Sequence, residues 1–135
     1  MRKDIEMNKP RLFTKDFLII SFINFFIALN YFLLMIIISE FAMNKFGSSP
    51  GEAGLVAGIF IFGALIARLF SGRWIARIGQ KKTLYTGLVL GVASTGLYFG
   101  TNSIILLLVV RFLHGISFGI ASTAAGTIVA NIIAK

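Results

Sequence analysis

The sequence predicts an all-α integral membrane protein with four transmembrane helices. Three observations carry that prediction. First, 57% of its 135 residues are hydrophobic and only 13% are charged, with a mean hydropathy of +0.90. A soluble domain carries about 25% charged residues, because its surface needs them; a disordered chain needs more charge still. Second, the apolar residues fall into four long stretches. Third, the cations gather on alternate connections between those stretches.

The first stretch, 17–39, holds 23 residues without a charge. At ~1.5 Å per residue it makes ~34 Å of helix, enough for a ~30 Å hydrocarbon core. The second spans about 53–75, with Arg68 and Arg73 near its end. The third spans 84–101. The fourth, 104–133, is long enough to require tilt or emergence into the headgroups. All four are expected to be helices, since open strand edges in lipid would leave backbone groups unpaired. A cleaved signal peptide is a rival reading of the first stretch. Against it, the apolar run exceeds the usual h-region and no A-x-A site follows.

Residues 1–16 are basic, with Arg2, Lys3, Lys9, Arg11 and Lys15. Arg73, Arg77, Lys81 and Lys82 lie between the second and third stretches. The first-to-second connection holds Lys45 beside Glu40 and Glu52, and the third-to-fourth turn, Thr101-Asn102-Ser103, holds no charge. Nine cations against one place both termini and the middle loop in the cytoplasm by the positive-inside rule. The expected location is the cell (plasma) membrane. The net charge of +8 is thereby explained without nucleic acid.

Chemistry is narrowly bounded. There is no cysteine and one histidine, His114, so thiolate nucleophiles and His or Cys metal clusters are excluded. No paired carboxylates or nucleophile–base set are placed to cooperate, so the chain is not expected to be an enzyme, and no cofactor is implied.

Small residues recur at the four-residue spacing by which membrane helices approach closely: Gly54 and Gly58, Gly87 and Gly91, Gly96 and Gly100, Gly115 and Gly119. These are the expected packing faces. Within the spans, Arg111 is expensive to bury, at about 2.5–3.5 kcal/mol on insertion scales. It is expected to face the bundle interior or a water-filled cavity, or else to snorkel. His114, three residues on, reads either as a proton relay or as a hydrogen-bonded packing residue. Asn24 and Tyr31 share a face of the first span, as cavity lining or as interhelical bonds, and Asn30 lies elsewhere on that helix.

The run Gly72-Arg73-Trp74-Ile75-Ala76-Arg77-Ile78-Gly79-Gln80-Lys81-Lys82 resembles the major facilitator superfamily signature between helices 2 and 3. Gly72, Arg77, Gly79, Lys81 and Lys82 match that pattern, and Arg73 lies within it; Ala76 stands where the signature usually has an aspartate. The run from Arg111 through Gly115 to Gly119 resembles the family's helix-4 motif, associated with proton-coupled antiporters of the drug-efflux type. The resemblance implies a partial N-terminal half of a major facilitator fold, helices 1–4 of twelve. In that family the loop signature serves gating, and Arg111, His114, Asn24 and Tyr31 become candidates for coupling or cavity lining. It implies proton-coupled efflux of small molecules, with the four helices alone expected to be a truncated, inactive fragment. The implied partners are the bilayer, a small-molecule substrate and protons once completed, and the remaining transporter helices or another copy. A membrane scaffold or assembly subunit and a dimeric four-helix exporter are the alternatives. Against the exporter, no acid lies inside the first span.

Overall fold

The computed structural model describes residues 13–134. Its order is α1 (Lys15–Phe46), α2 (Pro50–Ile78), α3 (Gln80–Leu97), a 3₁₀ turn (Tyr98–Gly100) and α4 (Ile104–Ile133). No strand occurs among the described residues. Arg2, Lys3, Lys9 and Arg11, four of the cations of the basic N-terminus, lie outside them.

Helix ends follow local chemistry. Thr14 caps α1 by accepting from the Phe17 N–H at 3.2 Å, and Asp16 in the first turn faces the positive end of the dipole. Ser49 and Glu52 form a reciprocal capping box at α2, with Pro50 in its first turn. Ser103 caps α4 through the Leu106 N–H.

α1 and α2 outrun their expected spans, and α3 lies four residues earlier than the expected 84–101. α1 continues seven residues past residue 39, and α2 gains a turn at its start and three residues at its end. More consequentially, the expected cytoplasmic loop is a single residue. α2 runs to Ile78, α3 starts at Gln80, and Gly79 alone joins them at φ 88°. That backbone region disfavours any side chain, which explains a glycine there. Arg73 and Arg77 therefore belong to the last turns of α2, and Lys81 and Lys82 to the first turn of α3, all exposed. Apolarity marks where a helix crosses hydrocarbon, whereas hydrogen bonding and caps decide where it stops. α1, α2 and α4 are each long and apolar enough to cross a membrane. α3 is not by itself, because Gln80, Lys81 and Lys82 open it and hydroxyls and glycines punctuate the rest.

α2 and α4 run parallel and pack most extensively, α3 lies antiparallel along α4, and α1 packs less closely on α2 and α4. Hydroxyls inside the bundle are spent on their own helices, as in Ser71 to the Ala67 carbonyl (2.6 Å), Ser94 to Leu90 (2.7 Å) and Ser117 to His114 (2.6 Å). In hydrocarbon no water would replace those partners.

Glycine lets the backbones touch. A Cβ on Gly119 would lie 2.5 Å from the Ala64 carbonyl oxygen, one on Gly115 would collide with that of Phe60, and one on Gly63 would lie 2.5 Å from that of Phe112. A Cβ on Gly87 would meet the Ala121 backbone at 2.6 Å, and one on Gly91 the Ser117 hydroxyl at 3.4 Å. Gly54 and Gly58 depart from expectation, as do Gly96 and Gly100: nothing among the described residues lies within 4 Å of a Cβ at any of them. The face of α2 that α4 covers carries Ala53, Val56, Phe60, Gly63, Ala64 and Ala67, and Gly54 and Gly58 point away from it.

Gly115→Ala should therefore destabilise the bundle by about 1–3 kcal/mol, the usual cost of overpacking. Gly54→Ala should change stability by less than about 0.5 kcal/mol. Denaturation in detergent followed by circular dichroism measures both, and equal effects would refute the assigned α2–α4 contact.

Candidate functional site

Arg111 sits ~11 Å along α4 from Ile104, at ~1.5 Å per residue, and is completely buried. Its side chain reaches across to α2, where Nε donates to the Val56 carbonyl at 3.1 Å and Nη2 to the Ala57 carbonyl at 3.2 Å. The guanidinium carbon lies 4.6 Å from the centre of the Phe60 ring, a cation–π contact. Nη1 is buried without a partner. The three acids among the described residues, Asp16, Glu40 and Glu52, are all exposed. The charge is therefore held by backbone dipoles and a ring face rather than by a carboxylate.

Around this cation an aromatic centre gathers from α1, α2, α4 and the 3₁₀ turn. The His114 ring meets Phe60 edge-on, with centroids 5.3 Å apart, and its Nδ1 lies 3.1 Å from the Tyr98 hydroxyl. Tyr98 belongs to the 3₁₀ turn. From α1, Tyr31 stacks on Phe60 at 5.0 Å and approaches Phe118 at 5.2 Å. Phe60 and Phe118 are 5.4 Å apart, and Arg68 reaches the Phe118 ring at 6.0 Å.

The candidate residues thus divide. Arg111, His114 and Tyr31 are brought into one cluster, with Arg111 between α2 and α4 rather than at the surface. Asn24 is half-buried and forms no hydrogen bond among the described residues. Asn30 instead lines a cavity of about 330 Å³ with His114, Phe26, Gly91, Thr95 and Ser117. Gly72, Arg73, Arg77, Gly79, Lys81 and Lys82 lie at the opposite end of the bundle, exposed, where Asn131 of α4 donates to the Gln80 side chain at 2.7 Å.

Several central residues gave little sequence signal. Phe60 is one of 14 phenylalanines, and only its place opposite Gly115 makes it the hub. Gly63 lacks a glycine four residues away. Tyr98 is distinguished by lying at the end of α3, where a phenol would be taken for an interfacial aromatic.

Comparison with known proteins follows this geometry. The family model of the Major Facilitator Superfamily matches residues 20–135, which includes all four helices but the first turn of α1. The chain is similar to the putative metabolite transport protein YfiG of Bacillus subtilis (strain 168), with 36% identity over 85 residues, 62% of this chain. It is similar also to the probable anion transporter 4, chloroplastic, of Oryza sativa subsp. japonica, with 36% identity over 87 residues, 63% of this chain. These alignments cover 17% and 15% of the two relatives, so the chain spans a small part of the length of either. No solved structure matches. On the extent of the family match and on a membrane bundle built from the residues of both motifs, the chain belongs to the Major Facilitator Superfamily.

Proposed function

We propose that the chain supplies helices one to four of a proton-coupled secondary transporter that exports small molecules across the cell membrane. Arg111 is the observation that carries this reading. A permanent cation inside a membrane bundle is costly, and here no carboxylate among the described residues offsets it. An ionisable residue inside the membrane marks a functional site, and its motif resembles that of proton-coupled exporters. Transport as such is supported by the family and by the names of both relatives, one for metabolites and one for anions.

In a transporter built from repeats, cargo binds between the repeats and alternating access rocks one against the other. Most of α1 is unpartnered, with Phe22, Phe25, Phe32, Leu33, Ile36 and Ile37 exposed. We take that face to receive further helices of the same transporter. α2, α3 and α4 are the part that moves as a body, and the basic end carrying Arg73, Arg77, Lys81 and Lys82 faces the cytoplasm.

Expressed alone in a bacterial strain lacking its own efflux pumps, the chain should leave the accumulation of cationic and anionic fluorescent dyes at the empty-vector level. Completed with the remaining helices, it should extrude at least one dye, and collapse of the proton gradient should stop this. In the completed transporter, Arg111→Leu should abolish extrusion. Membrane insertion should be retained and stability should change by about 1 kcal/mol or less, since a buried charge replaced by an apolar side chain is often neutral. Near-normal extrusion by that variant would make Arg111 a packing residue. The orientation has its own test. The chain lacks cysteine, so Ala76→Cys and Asn102→Cys can each be probed in intact cells with a membrane-impermeant thiol reagent. Asn102→Cys should label and Ala76→Cys should not; the reverse pattern would overturn the orientation.

A further inference from the structure

We propose that the basic end where α2 passes into α3 binds the headgroup of an anionic phospholipid, whose acyl chains lie on the exposed stripes of the two helices. Arg73 and Arg77 of α2 and Lys81 and Lys82 of α3 are all exposed. Measured along the helices, Arg73 lies ~8 Å before Ile78 and Lys82 ~3 Å after Gln80. All four charges therefore gather at one end of the bundle.

The chain gives them little to pair with. Residues 53–135 contain no acid, and Glu40 and Glu52 belong to the opposite ends of α1 and α2. Asp16 of α1 shares a cleft with Gln80 and Lys81, one carboxylate against four cations. Their arrangement is also unfavourable by itself. Arg73 and Arg77 are a like-charge pair four residues apart on one helix face. Lys81 and Lys82 stand at the positive end of the α3 dipole, with no acid in that turn. Orientation requires cations in this segment but does not require them crowded together. An external anion relieves the crowding.

What lies beneath the charges identifies that anion. One turn deeper than Arg73, on the same face of α2, comes Leu69, 79% exposed, and one turn deeper than Trp74 comes the exposed Phe70. On α3, Lys82 is followed at intervals of three and four residues by Tyr85, Val89 and Val92, all exposed. Trp74 and Tyr85 mark the level where each stripe changes from charged to apolar, as aromatic residues do at a membrane interface. Cations above and open apolar surface below, on two successive helices, match a phosphate headgroup and its acyl chains. Basic clusters at this level attract anionic lipid, whereas free phosphate would use only the upper half of the surface. α3 is also the helix least able to hold its place by apolarity alone, and it carries two of the four cations.

The test needs neither transport nor an assigned orientation, so its failure is separate from failure of the transporter reading. Trp74 is the chain's one tryptophan, and brominated acyl chains quench tryptophan fluorescence on contact. The full chain is reconstituted in equal-part vesicles of phosphatidylglycerol and phosphatidylcholine, with bromine on one lipid in the first sample and on the other in the second. Brominated phosphatidylglycerol should quench Trp74 more strongly, with a selectivity of about fivefold, equivalent to one cation's attraction to an anionic surface. Added sodium chloride should weaken the preference, and inorganic phosphate at matched ionic strength should weaken it no further. Arg73→Gln with Arg77→Gln should lower the selectivity, and adding Lys81→Gln and Lys82→Gln should abolish it. Arg73→Lys with Arg77→Lys should retain it. Equal quenching by the two lipids, quenching by neither, or a preference indifferent to salt would each overturn the assignment. A loss with phosphate beyond that with chloride would make this a free-anion site and overturn it as well. All four readings use the unmodified chain, so a variant that failed to fold would not shield the proposal.

Discussion

Everything in the bundle depends on the backbone of α4 lying against that of α2. Gly115 and Gly119 remove the side chains that would hold the helices apart, and Gly63 does the same from the other side. Without water-driven burial between helices in lipid, close van der Waals packing supplies association. The same closeness brings the Val56 and Ala57 carbonyls within reach of Arg111. These carbonyls can accept a second hydrogen bond while still serving their own helix. Widening the contact by one methyl group would therefore disturb both the packing and the seat of the buried cation.

The centre is also economical in polar groups. Most serine and threonine hydroxyls within the helices close onto their own helix, so they cost little in hydrocarbon and offer little to a ligand. The polar groups left to bind across helices at the centre are few, chiefly Arg111 with Val56 and Ala57, and His114 with Tyr98. Aromatic rings from α1, α2 and α4 enclose Arg111 and His114, and that low-dielectric surrounding strengthens each polar contact made there.

Much of this was legible from residue chemistry. A span is written in uninterrupted apolarity, and α4 runs over the expected 104–133. Helix ends were less legible where a cap or a glycine, rather than a change in hydropathy, stops the helix. The run from Arg73 to Lys82 looked like a loop because it is polar, yet only Gly79 leaves the helical path. A spacing rule identifies glycines but not the direction in which they face, so Gly115 and Gly119 came with Gly54 and Gly58, and only the former pair meets a neighbour. Arg111 and His114 announced themselves by cost and rarity. Phe60 and Tyr98 did not, because an aromatic residue in an aromatic-rich chain acquires its role only from what lies across from it.

The single-residue joint at Gly79 has a mechanical consequence. A loop of several residues would absorb displacement between the helices it connects, but one peptide unit transmits it. Any tilt at the C-terminal end of α2 must be passed to α3, which lies along α4, and α4 in turn lies against α2. The three helices close a ring with no slack at that end, braced again by the Asn131–Gln80 bond. α1 stands outside the ring, fastened near its C-terminal end by Lys45 to the Thr101 carbonyl and by Ser39 to the Ala53 carbonyl. Leverage applied to this bundle would swing α1 about its C-terminal end while the other three turn as one piece.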